Sequence, residues 1–272
     1  MTRDWSVLLV HETQTPEQES TTEELVPALH GLVTRIRAAD ARSRWFFERH
    51  DRIEPVLALW SRTTGDARAE AAREVAAEHQ RIRIHPGDFD ADPAALSGTA
   101  LGLAEAASEL ALQVLRDGGL PATRQVPFAA LHLHRLIGHV AAPKRAAFLF
   151  QCWQSWSAAL EPDQRVALLQ QADRHLDDVL AAVPAEEAGS AWSQYLKSVD
   201  ALVAATTASE SPPLNYLLFD HARRTHLRLG VPEPVQALAA RTLRTALRAG
   251  LDDRAPAPEP GRTELALEGA RP

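Results

Sequence analysis

The pattern of apolar positions changes character near residue 97. Before it, apolar runs of strand length alternate with segments of helical period; after it the helical period holds almost throughout. Residues 5–11, WSVLLVH, predict a strand. Leu25, Leu29, Leu32, Val33 and Ile36 then fall on one face of a helix, preceded by Thr21, Thr22, Glu23 and Glu24 as cap and acidic first turn. RSRWFFERHDRIEPVLALW, residues 42–60, reads as a hairpin of two apolar strands around a charged turn. Trp45, Phe47 and Arg49 share one face of its first strand, and Phe46, Glu48 and His50 the other. TTGD at 63–66 breaks the chain and caps a helix over 66–79. RIRIH at 81–85 is a fourth strand, stopped by Pro86 and Gly87. The order strand, helix, strand, strand, helix, strand is the ferredoxin-like split βαβ pattern, with a mostly antiparallel sheet and helices on one face.

Beyond Ser97 one helix spans 98–117 and ends at Gly118 and Gly119. Others are expected to begin near Pro127, Pro143, Pro162, Glu186, Pro213 and Pro232, since proline is favourable at helix starts. Short linkers make these helices antiparallel neighbours. DDRAPAPEPGRTELALEGARP, from Asp252, reads as a flexible tail over 253–272. No internal repeat and no linker divides the rest. The expectation is one α+β domain over 1–252, with a βαββαβ half (1–90) and a mainly helical half (97–252).

Composition narrows the function by exclusion. The 272 residues are 45% hydrophobic and 24% charged, as in an ordinary globular protein. A net charge of −7 argues against a general grip on nucleic acid. A single cysteine, Cys152, allows no internal disulfide and fits a reducing cytoplasm. The N-terminus lacks a signal-peptide pattern, and no apolar run approaches the ~20 residues of a membrane helix. Glycine-rich phosphate loops, GxSxG, HExxH and paired CxxC are all missing, so nucleotide, serine-hydrolase and zinc chemistry lose their usual support. His132 and His134, two residues apart on a helix, point about 200° apart. They read as one packed and one solvated histidine, where a chelating pair would need a spacing of three or four. Neither metal nor organic cofactor is expected.

The words WSVLLVH, ELVPALHGLV, WFFERHD…EPVLALW and FAALHLHRLIGHV, over about residues 4–160, resemble the C-terminal domain of lanthipeptide dehydratases. Stand-alone relatives of that domain act in thiopeptide biosynthesis. The resemblance implies one of two reactions. One branch eliminates glutamate from glutamylated Ser or Thr. The other joins two dehydroalanines of a precursor peptide in a formal [4+2] aza-cycloaddition, expelling water and leader to leave a pyridine-centred macrocycle. Eliminating members read as an aromatic pair, an apolar residue, Arg and Tyr, then a strand of the type His-apolar-Arg-apolar-Arg. Arg49 matches the first arginine, but the second strand here is VLALW and both of its arginines are gone. The helical word His-Met-x-x-Asn-Arg also departs: aligned on Arg135, its His falls on Ala130 and its Asn on His134. Both departures point to the pyridine-forming branch. A stand-alone elimination enzyme and a non-catalytic precursor-binding subunit are the alternatives.

Cycloaddition of this kind requires one amide to shift to its imidic-acid tautomer, hence a proton donor and acceptor. The only tyrosines, Tyr195 and Tyr216, are the first candidates. Tyr195 lies among Ser190, Ser193, Gln194 and Ser198, and Tyr216 has Asp220 four residues on. Ser190, His134 and Arg49 are further catalytic candidates, with His132, Trp192 and Ser193 as substrate contacts. Packing against a core is the competing reading for each tyrosine. The partner would be a leader-bearing precursor peptide, with no nucleic acid and no membrane. Arg81 and Arg83 give the last strand a basic face suited to an acidic leader, or simply a charged edge that discourages aggregation.

Overall fold

The protein is described here by a computed structural model, which covers residues 4–13, 24–50, 55–87, 96, 98–182, 190–207 and 213–250. Its first half runs β1 (Asp4–Glu12), α1 (Leu25–Ala39), β2 (Arg44–His50), β3 (Val56–Thr63), α2 (Gly65–Glu78) and β4 (Ile82–Pro86). The four strands form one sheet in the order β2-β3-β1-β4, and every neighbouring pair is antiparallel. Strands joined through a helix (β1 with β2, β3 with β4) therefore run parallel with one strand between them.

One face of the sheet carries Leu8, Val10, Trp45, Phe47, Leu57 and Leu59 into the main core, together with the apolar stripe of α1 and with Ala71 and Val75 of α2. Thr64 caps α2 by accepting from the Ala67 amide at 3.4 Å. The other face carries Val7, Phe46, Ala58 and Trp60, with Phe46 stacked on Trp60 at 6.1 Å between ring centroids. The position of β3 explains its lack of charge. It lies between β1 and β2, and from Leu57 to Trp60 both of its faces are buried. The strand continues to Thr63, past the apolar run, because Ser61, Arg62 and Thr63 pair with Ser6, Trp5 and Asp4 of β1, and the Thr63 hydroxyl donates to Asp40 at 3.2 Å.

Helix α3 (Gly98–Arg116) lies along the outer edge of β2 and ends at Gly118 and Gly119, both at positive φ. After it come α4 (Ala122–Ile137), α5 (Ala142–Trp156), α6 (Pro162–Ala172), α7 (Leu176–Ala182), α8 (Ser190–Thr207), α9 (Leu214–Arg228) and α10 (Glu233–Arg248). Proline marks several starts, as N-cap at Pro213 and Pro232 and within the first two residues at Pro143 and Pro162. Pro127 does not. Helix α4 begins at Ala122 and takes Pro127 into its second turn, where one missing N–H is tolerated because Val126, Phe128 and Ala129 bury that turn. The helix expected near Glu186 is described from Ser190, and the expected tail at 253–272 lies outside the described residues. Helix α10 packs against α4, α5, α6, α7 and α9 through a face rich in alanine, Ala237, Ala239, Ala240 and Ala246. One buried cluster joins sheet residues such as Val10 and Phe47 to Leu133, Leu149 and Leu243 of the helical half. Among the described residues no helix is long and apolar enough to cross a membrane.

Candidate active site

A cavity of about 870 Å³ lies over the Phe46–Trp60 face of the sheet, walled by α3, α9 and the start of α10. The charged end of the aromatic strand belongs to it. Past Phe47 the strand leaves the core, and Glu48, Arg49 and His50 line the cavity. Helix α9 contributes Asp220, His221, Arg223, Arg224 and Arg228 to the opposite wall.

Most wall charges are engaged with one another. Arg224 meets Glu48 at 3.1 Å and Asp220 at 2.8 Å, and Arg223 meets Glu233 at 2.7 Å. Arg228 is buried and donates from Nε to the Phe47 carbonyl at 2.6 Å. Burial lowers its pKa to about 10, against the attraction of Glu48. Arg49 passes so close to the turn after α9 that a side chain at Gly230 (φ 73°) would meet its Nη1 at 2.8 Å. The positive φ is what favours glycine in that turn.

Behind the α9 wall lies a chain of buried polar groups. His221, 9% exposed, opens to the cavity, while His132, Tyr195 and His226 are fully buried. The His221 Nε2 is 2.9 Å from Tyr195 Oη and 3.3 Å from Thr225 Oγ1. Tyr195 Oη also bonds His132 Nε2 at 2.5 Å, and His132 Nδ1 bonds His226 Nε2 at 2.8 Å. Trp192 packs edge-on against His132, and Trp156 against His226, walling the chain from water. Burial depresses all three imidazoles. His221 falls to about 3, with Arg228, His226 and Arg224 adding to the effect. His226 falls to about 3 against an opposing bond from Gln236, and His132 falls well below its usual range. Burial pushes the Tyr195 phenol up, eased by a Thr225 hydrogen bond. At neutral pH the chain is three neutral imidazoles and a neutral phenol.

The sequence candidates separate on this geometry. Tyr195 and His132 meet in the buried chain, Trp192 is its wall, and Arg49 lines the cavity. Tyr216, 60% exposed, and Ser193, also exposed, lie outside the cavity lining. Ser190 opens α8, and its side chain is outside the described residues. His134 is half-buried and is not in the buried chain, as its spacing from His132 requires. Arg81 precedes β4 at the opposite edge of the sheet, paired with the buried Glu12 and with Glu24 at 3.8 Å. Arg83, exposed on β4, reaches only the Gln80 carbonyl at 3.5 Å among the described residues. Sequence reasoning missed His221, His226, Arg228 and Gln236. A signal existed: His221, Thr225 and Arg228 stand at the spacing of a buried helix face, where apolar residues are the rule. Among the described residues no group of three or more His, Cys, Asp or Glu is placed to hold a metal ion.

No protein-family model matches the sequence, and no curated protein matches it. Solved structures do match the fold. The pyridine synthase TbtD from thiomuracin biosynthesis superposes with a TM-score of 0.61 at 14% identity, over 92% of this chain and 99% of that one. The tRNA-dependent lantibiotic dehydratase MibB from Microbispora sp. 107891 gives 0.61 at 16% identity, over 92% of this chain but only 28% of the dehydratase. TsrL gives 0.57 at 12% identity, over 92% and 96%. At such identities the likeness is one of fold.

Proposed function

We propose, from a fold shared with TbtD along almost the whole of both chains, that this protein is a pyridine synthase. It joins two dehydroalanines of a leader-bearing precursor peptide by a formal [4+2] aza-cycloaddition. Loss of water and of the leader then gives the pyridine core and macrocycle of a thiopeptide. The reaction is one of the cytoplasm and needs no cofactor.

The cavity floor carries this reading. In the resemblance to eliminating dehydratase domains, the two lost arginines of the second strand correspond to Ala58 and Trp60. Both stand on the sheet face turned to the cavity, and Trp60 lines it. An indole and a methyl group suit two alkenes better than a glutamate carboxylate, which calls for cationic anchors. Arg223 and Arg224 are tied to wall carboxylates. Holding diene and dienophile together in such a cleft can supply ~7–11 kcal/mol of the barrier.

Arg49 and Arg228, which line the cavity from facing walls, favour a second reading, glutamate elimination from a glutamylated Ser or Thr, with two guanidiniums holding the departing carboxylate. Incubating the protein alone with a bis-dehydroalanine precursor, and separately with a glutamylated one, decides between them by mass spectrometry. A macrocycle and an intact leader amide from the first support pyridine formation. Free glutamate from the second supports elimination. Binding of either peptide without turnover identifies a precursor-binding subunit.

A further inference from the structure

We infer that the buried Arg228 guanidinium is an oxyanion site of the cavity, whose two Nη groups hold the amide oxygen of the dehydroalanine that becomes the azadiene. The identity of that oxygen rests on the proposed function. The site itself rests on the surroundings of Arg228.

Arg228 is only 2% exposed, yet it lines the cavity. Its Nε is spent on the Phe47 carbonyl, and among the described residues Nη1 and Nη2 meet neither an acceptor nor a carboxylate. They are not sealed in, unlike buried nitrogens that lack a partner elsewhere, such as Arg135 Nε. Glu48 and Asp220 attract the guanidinium from beyond ion-pair reach, but both pair with Arg224. Glu233 is held by Arg223. Four guanidiniums and three carboxylates line the cavity, so the wall cannot neutralise itself, and Arg228 is the most buried of the four. A neutral donor would serve the Phe47 carbonyl at a lower desolvation cost. Burying a cation here, with two N–H groups uncommitted, makes sense once an oxygen ligand arrives through the cavity.

The chemistry of that ligand fits the fork. A guanidinium donates in one plane, and its two Nη groups can converge on the lone pairs of an amide oxygen. When the azadiene forms, the amide N–H bond breaks, its electron pair closes the C=N bond, and the carbonyl π pair moves to oxygen. The proton ends on that oxygen, giving a neutral imidic acid, and Arg228 itself takes none. Its charge stands where negative charge passes, in a site partly closed to water. The ground-state amide oxygen carries only partial charge, so the interaction strengthens toward the transition state and acts on kcat more than on KM. Trp60 gives the alkenes an apolar surface, and Arg228 gives the oxygen its partner. Touching a reacting atom, Arg228 is a catalytic residue.

Guanidinium-resolved ¹H–¹⁵N spectra of the full-length protein, labelled at arginine, test the site without substrate. A carboxylate shares the π system of a deprotonated amide, so acetate is the probe. Acetate should shift the Arg228 Nη signals, while chloride at the same ionic strength should not. Arg228 signals that acetate leaves unmoved overturn the site. With the bis-dehydroalanine precursor, Arg228→Gln sets an amide N–H at the chain position of the arginine Nε, which keeps a donor for the Phe47 carbonyl and removes the charge. It should lower kcat about 10²–10³-fold with KM nearly unchanged, and Arg228→Lys should recover part of the rate. Wild-type kcat in folded Arg228→Gln, or a loss confined to KM, overturns the assignment. If that variant fails to fold, the acetate titration of the wild type decides the site. Glutamate release from the glutamylated precursor that is lost in Arg228→Gln gives the site to a carboxylate and overturns the amide oxygen. Acetate bound at Arg228 in a protein inert toward both peptides supports the anion site and refutes the pyridine-synthase reading alone.

Discussion

Replacing Tyr195 by Phe removes one oxygen from between two imidazoles. His132 Nε2 and His221 Nε2 lose their shared partner in a dry site, a loss of about 1–3 kcal/mol in stability. Turnover should fall by about 10²–10⁴-fold while precursor affinity holds. Tyr216→Phe, at an exposed ring, should change neither quantity, and urea unfolding with single-turnover kinetics on both variants checks the contrast. The same histidines set an acid limit. Their pKa values are lower folded than unfolded, where 6.5 is usual, so the unfolded chain binds more protons below that pH. For His221 and His226 the stabilising contribution is complete above about pH 6.5 and is lost as pH falls toward about 3, by up to about 1.4 kcal/mol per pH unit for each ring, and His132 adds in the same direction. Urea midpoints measured from neutral to about pH 5 should fall, and less steeply in a folded His226→Gln variant. The chemistry of Tyr195 and His132 was legible in their residue types. Their partners were not, because they lie 63 and 94 residues apart in the chain and meet only once α4, α8 and α9 pack.

Strand β2 shows how an element can be completed from outside its sheet. It has β3 on one side only, and its outer edge bonds side chains. The Trp45 amide donates to Glu105 at 3.2 Å, the Phe47 amide to Ser108 Oγ at 3.1 Å, and Arg228 donates to the Phe47 carbonyl. Ser108→Ala strands a buried amide and should cost about 1–3 kcal/mol in urea unfolding. Unchanged stability would show that the amide finds another acceptor. At the opposite edge the two arginines should behave differently. Arg81→Gln leaves the Glu12 carboxylate buried without its cation, so its effect should be on melting temperature. Arg83→Gln should leave melting intact and reduce the salt dependence of precursor binding, if the leader docks along β4. Element order was readable because caps and breakers such as Thr64, Gly118 and Gly119 stand where the chain turns. Pro127 misled because tertiary burial outweighed its local preference.

At the scale of the whole molecule, the cavity exists only where the two halves meet: β2 and β3 supply its floor, and α3, α9 and α10 its walls. Sequence reading placed the halves in one unit but not the cavity, since Glu48 and Arg224, which bridge it, are 176 residues apart. The completed edge of β2 also bears on how the chain emerges during synthesis. Phe47 waits 61 residues for Ser108 and 181 for Arg228. Until then the nascent sheet presents an unpaired, aromatic-rich border of the kind that adheres to other chains. Residues 1–95 expressed alone should therefore self-associate by light scattering. Adding the α3 segment in trans should suppress this before α9 is present, because Glu105 and Ser108 already occupy two of the three backbone groups named on that border. Contacts this distant in sequence slow folding, so Arg228→Met should retard the last folding phase more than Ser108→Ala does.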